Sequence, residues 1–107
     1  MNECLRALVI PASGWWIIQF LEHDMATVTR DFKEVSEAIR ELLKTVERRT
    51  REENAPSFRT FERAPEEYLA RFEAAAPLNP IDLGQEFAPT KGIELRLETE
   101  TPPSGEV

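Results

Sequence analysis

Gly14 to Val46 reads GWWIIQFLEHDMATVTRDFKEVSEAIRELLKTV. Trp15–Leu21 (WWIIQFL) is the most apolar strand candidate of the chain. By the period-two rule Trp16, Ile18 and Phe20 share one face, and Trp15, Ile17, Gln19 and Leu21 the other. Both faces are largely apolar, which predicts a central strand covered on two sides. Glu22-His23-Asp24 is a polar turn. Met25–Thr29 (MATVT) alternates, with Ala26 and Val28 on one face and Thr27 and Thr29 on the other, and reads as a short edge strand. Asp31 then starts a helix as its cap, with Glu34 three residues on in a capping-box spacing. Phe32, Val35, Ile39, Leu42, Leu43 and Val46 recur at helical spacing and make one apolar stripe, with Lys33, Glu37, Arg40, Glu41 and Lys44 on the opposite face.

Upstream, Leu5–Ile10 (LRALVI) reads as a strand, joined to the tryptophan strand by a four-residue turn, Pro11-Ala12-Ser13-Gly14, in which Gly14 supplies a positive φ. Downstream, Glu47–Asn54 (ERRTREEN) is wholly polar and predicts fraying of the helix, with Arg48, Arg49 and Arg51 on a solvated end. Ala55–Arg63 is irregular, and its Phe58 and Phe61 look exposed. Pro65 suits the first turn of a second helix, with Glu66 and Glu67 well placed near its N-terminus and Tyr68, Leu69, Phe72 and Ala75 as a narrow apolar edge. Residues 77–91 read as a long loop with Leu78, Ile81, Leu83 and Phe87 packed on its own domain. Gly92–Glu98 alternates: Ile93, Leu95 and Leu97 face in, and Glu94, Arg96 and Glu98 face out.

The fold class is therefore α+β, in the order β-β-β-α-(α)-β. An antiparallel meander carries one long helix, and the C-terminal strand returns to lie beside the first. The domain expected is a single one over residues 1–98, with 55–91 as a helix-and-loop insertion, and 99–107, with Pro102, Pro103, Ser104 and Gly105, as a disordered tail. One core suffices, since a chain of 107 residues buries roughly 60–70% of its unfolded surface.

Twenty acidic residues against 13 basic ones give a formal charge of −7. That balance opposes generic nucleic-acid binding, which rests on phosphate neutralisation, and favours a basic protein partner. The single cysteine, Cys4, leaves no internal disulfide. No apolar run is long enough to span a bilayer, and the N-terminus does not read as a signal peptide. The expected setting is cytoplasmic, with no membrane partner.

Catalytic chemistry finds few candidates. Two-metal nuclease sites need carboxylates converging from strand ends; Glu22 and Asp24 lie in a turn, and neither apolar strand carries an acid. His23 is the sole histidine and has no second ligand nearby in sequence. Cys4 has no adjacent base, and Ser13 and Ser36 lie in no recognisable elbow. Phosphate-loop, dinucleotide and zinc patterns are absent. The expectation is a protein that is not an enzyme, with no catalytic, metal or cofactor residues.

The strand-turn-strand segment Gly14–Phe20, the small strand Ala26-Thr27-Val28-Thr29, the cap at Asp31, the pair Glu37-Ala38 and the strand Ile93–Glu98 after Pro89 together resemble the HicB-like antitoxin family. The likeness runs over residues 5–50 and 89–98. It implies a truncated ribonuclease H-like sheet and a non-enzymatic, protein-binding role: an antitoxin or regulator without its DNA-binding segment that masks a small basic partner, such as an RNA-cleaving toxin. The alternative is a phage- or host-encoded inhibitor or adaptor that reuses the fold. On this reading Trp15, Ile17, Leu21, Phe58, Phe61 and Phe87 are the apolar anchors for the partner, and Glu94 and Glu98 the acidic strand face. Homo-oligomers, dimers first, are expected where the second face of the tryptophan strand needs cover.

Overall fold

The structure, a computed structural model, describes residues 3–87 and 90–99. It is α+β, as the alternation predicts. β1 (Glu3–Ala12), β2 (Trp15–Phe20) and β3 (Ala26–Thr29) form an antiparallel meander. A short 3-10 turn, Phe32–Glu34, leads into α1 (Val35–Glu53). A second 3-10 turn, Phe58–Thr60, precedes α2 (Glu66–Ala74), followed by β4 (Ala76–Pro77), β5 (Ile81–Asp82) and β6 (Thr90–Leu97). The sheet order is β3-β2-β1-β6-β4, with β5 also on β6. β6 returns parallel to β1, pairing Leu5 with Ile93 and Ala7 with Leu95. A parallel neighbour needs a long crossover, and the whole of β2 to β5 supplies it.

The principal core lies between this sheet and α1. Leu5, Ala7 and Val9 of β1, Ile18 and Phe20 of β2 and Ile93 and Leu95 of β6 meet Val35, Ile39 and Leu43 of the helix. Ile39 and Leu43 are fully buried, and each contributes roughly 1.5–3 kcal/mol by leaving water. Asp31 caps the helix entry as expected, its carboxylate accepting from the Lys33 amide at 2.9 Å. The helix begins as a 3-10 turn because that bond closes over two residues, while the Glu34 amide goes to the Asp31 carbonyl.

Four local expectations are corrected. The β1–β2 turn has two residues, not four: Ala12 pairs with Trp15 and Pro11 with Trp16. Pro11 fits within the strand because its missing N–H lies on the β6 side, where β6 is ending at the bond from the Glu98 amide to Val9. Gly14 takes φ 78°, a conformation that favours glycine. The polar stretch after Val46 continues the helix to Glu53, where Asn54 closes it in the left-handed region at φ 57°. Residues 76–83 are not a loop but a broken edge strand along β6. Leu78 donates to Leu95 and Leu83 to Lys91, and the pairing slips by one residue at Asn79-Pro80 between the β4 and β5 registers. Their packing on their own domain is as expected: Ile81, Leu83 and Phe87 join the principal core.

The fourth correction concerns β6. Its polar face does point away from α1, but α2 lies over part of it. Arg71 makes a bidentate pair with Glu98 at 2.7 and 2.8 Å. Arg96 lies over the Phe72 ring at 4.7 Å and donates to the carbonyls of Phe72 and Glu73, closing the C-terminal end of α2. The Glu98 hydrogen bond raises the Arg71 guanidinium above its ordinary range, with burial opposing. A raised base contributes its stability below its unfolded value and loses it only as pH climbs through the folded one, so this contribution is constant through the neutral range. Arg71→Ala is expected to cost about 1 kcal/mol, since the pair is partly solvated, and urea unfolding at neutral pH measures it. The proposed tail lies outside the described residues, apart from exposed Thr99.

Candidate functional site

The tryptophan strand was expected to be apolar on two faces, and the fold divides the second face in half. At the Leu21 end, Leu8 and Leu21 are covered by Phe72, with Tyr68, Leu69 and Ala75 around them. Glu22 turns back to Arg6, which it pairs at 2.6 Å. Gln19, buried in mid-strand, donates to the Phe20 carbonyl and to Asp24. Beyond Gln19 the cover stops. Ala12, Trp15, Ile17 and Val28 line a shallow depression of about 310 Å³. Trp15 is 41% exposed and Val28 50%, and Arg30 stacks on the Trp15 ring at 4.5 Å.

This half-face follows from the sequence. Odd positions of β2 and even positions of β3 share a side because Ile17 pairs with Val28. α2 is only nine residues long and ends before it can cover the turn end of the sheet. The same side of the molecule carries Glu66, Glu67 and Glu73 on α2 and Glu94 on β6, all exposed.

The expected anchor residues separate. Trp15 and Ile17 are together in the open patch. Leu21, Phe58 and Phe87 are interior, at 3%, 1% and 4% exposure, and as the chain stands they present no surface. Phe61 is half-buried against the principal core. Phe58 is drawn in by its neighbours: Arg59 lies over its ring at 4.5 Å while bonding Glu47 at 2.9 Å and the Phe87 carbonyl at 3.1 Å. Glu98 is spent on Arg71, and Glu94 is exposed with Arg96 at 3.4 Å. Val28 and Ala12 belong to the patch although neither was singled out. The alternation of Ala26 and Val28 was the signal for one; for Ala12, read as a turn residue, there was none.

His23 sits edge-on to Phe58 at 5.4 Å with Nδ1 3.4 Å from the Phe61 carbonyl, and Asp24 accepts from Gln19 while donating its amide to the Glu62 carbonyl. Both turn residues thus tie β2 to the 58–62 segment. Among the described residues no three of His, Cys, Asp and Glu gather as a metal-holding group, and no helix is long and apolar enough to cross a membrane. A larger depression, about 560 Å³, lies between the start of α1 and residues 78–82. Its Arg40 is engaged by the Asp82 carbonyl at 2.9 Å and by Glu86.

No family model, curated protein or solved structure matches the chain.

Proposed function

We propose that this chain is a non-enzymatic protein-binding domain of the HicB-like antitoxin kind, which masks a small basic partner. The observation that carries the reading is the open half-face: a rigid tryptophan and two aliphatic side chains on strands of a packed sheet, uncovered beside a helix that covers their neighbours. Aromatic anchors on a rigid support are the usual centre of a protein interface, and exposed acids on α2 and β6 supply attraction for a cationic partner. Contacts made here would bury Trp15, Ile17 and Val28 against an apolar surface of the partner, while Glu66 and Glu94 supply charge from the Leu21 end of the same side.

The test is affinity purification from the native cell with the wild-type chain and Trp15→Glu in parallel, followed by expression of the retained protein alone and with each bait. The expected result is a small basic protein that is toxic by itself and neutralised by the wild-type chain. Trp15→Glu is expected to weaken its binding at least about 30-fold, the loss of one hot-spot aromatic, while the chain stays folded, because the ring is 41% exposed and outside both cores. A retained protein that binds both baits equally sinks this reading.

A further inference from the structure

We propose that β3 joins two copies of this chain edge to edge, through an antiparallel pairing centred on Thr27. The hydrogen-bond phase of the meander selects the surface. Leu21 donates to Arg6 and Phe20 to Met25. In an antiparallel ladder bonded pairs alternate, so odd positions of β2 bond β1 and even positions bond β3. On β3 the partners of those even positions are Met25, Thr27 and Thr29. Ala26 and Val28 therefore aim their N–H and C=O groups at the free edge, where both residues are exposed. β3 ends the sheet on this side.

An edge of two outward residues is self-complementary about Thr27. Ala26 of one copy faces Val28 of the second, and each such pair exchanges two backbone bonds. The ends of the edge match by charge. Asp24 lies at one end, its amide already taken by the Glu62 carbonyl at 2.6 Å, so backbone pairing stops at Ala26 and only side chains meet beyond it. Arg30 lies at the other, its guanidinium held on the Trp15 ring. A two-fold axis through Thr27 sets Arg30 of each copy against Asp24 of the other, on the side that carries Trp15. Like charges directly opposite would oppose pairing; here each end meets its opposite.

In-plane pairing covers no part of the half-face. It sets two half-faces side by side on one continuous sheet, so the proposal stands independently of the partner-binding reading above. Ala26→Pro separates the two, since Ala26 lies outside the depression. Proline at this first residue of β3 removes an N–H that points outward, leaving the β2–β3 bonds intact.

The experiment is sedimentation of the full chain across a concentration series, with amide hydrogen exchange resolved by residue. A reversible dimer is expected, in which the Ala26 and Val28 amides gain protection as concentration rises, whereas Thr27 and Thr29 are protected throughout. Ala26→Pro is expected to raise the dimer Kd at least about tenfold. Asp24→Arg alone weakens the dimer, and adding Arg30→Asp restores it. A chain that stays monomeric at millimolar concentration overturns the proposal. So does a dimer in which the Ala26 and Val28 amides gain no protection. If Ala26→Pro does not fold, the exchange pattern of the unmodified chain decides.

Discussion

Phe58→Ala is expected to destabilise the chain by about 3–5 kcal/mol, the range for truncating a buried phenylalanine. In a domain of this size that lowers Tm by about 15 °C or more. Phe58 is the residue whose environment departs most from its sequence context. It sits in a polar segment, yet it is 1% exposed, packed in the principal core, with His23 edge-on and Arg59 across its face. The loss leaves a cavity beneath a 3-10 turn and frees the Arg59 pillar that links α1 at Glu47 to the Phe87 carbonyl. Unfolding should remain a single transition, because Phe58 shares its core with α1 and four of the strands. Calorimetry checks this; a change below about 1 kcal/mol would place Phe58 at the surface, where its sequence context put it.

Phe72→Ala should behave differently at a similar cost of about 3 kcal/mol. Its ring belongs to a separate cluster with Leu8 and Leu21 and is flanked by Arg6 and Arg96 at 5.9 and 4.7 Å. That cluster holds one short helix and nothing else, so the loss is expected to be local. α2 amides should lose exchange protection while those of α1 and β1 keep theirs. Binding of an apolar dye should rise several-fold, as Leu8 and Leu21 join Trp15 and Ile17 in one uncovered sheet face. A loss of protection spread evenly over the chain would show that α2 is part of the main cooperative unit.

Where apolar alternation is regular, the fold was legible in the sequence. β1 to β3, α1 and β6 follow directly from it, as does the side each residue takes. The broken edge strand was not legible, because its pairing comes from donors and acceptors on β6 and not from a pattern of its own; Pro77 and Pro80 among isolated apolar residues read as a loop. The length of α1 had a readable signal in Asn54, a residue that tolerates the left-handed region, but the polar run before it argued for fraying. For the site, the anomaly of the tryptophan strand was visible. What was not visible is that α2 covers one half of it. A narrow apolar edge does not state which surface it will meet, and the polar residues that fix it, Arg96 and Glu98, looked like a solvated face. Phe58 was misplaced for the same reason: Arg59, which lies over its ring, is anchored at the Phe87 carbonyl 28 residues along the chain.

The slip at Asn79-Pro80 has a bearing on stoichiometry. It divides the outer strand on β6 into two pieces of two residues each, with Pro77 in the first and Pro80 at the break. An edge so interrupted, with prolines that withhold donors, offers no straight template for a further strand. The two margins of this sheet are thus unequal, one blunt and one open. Strand-to-strand association through β3 consumes the open margin of each copy and leaves only blunt ones outside. Growth by this route terminates at two chains instead of running on into a fibre.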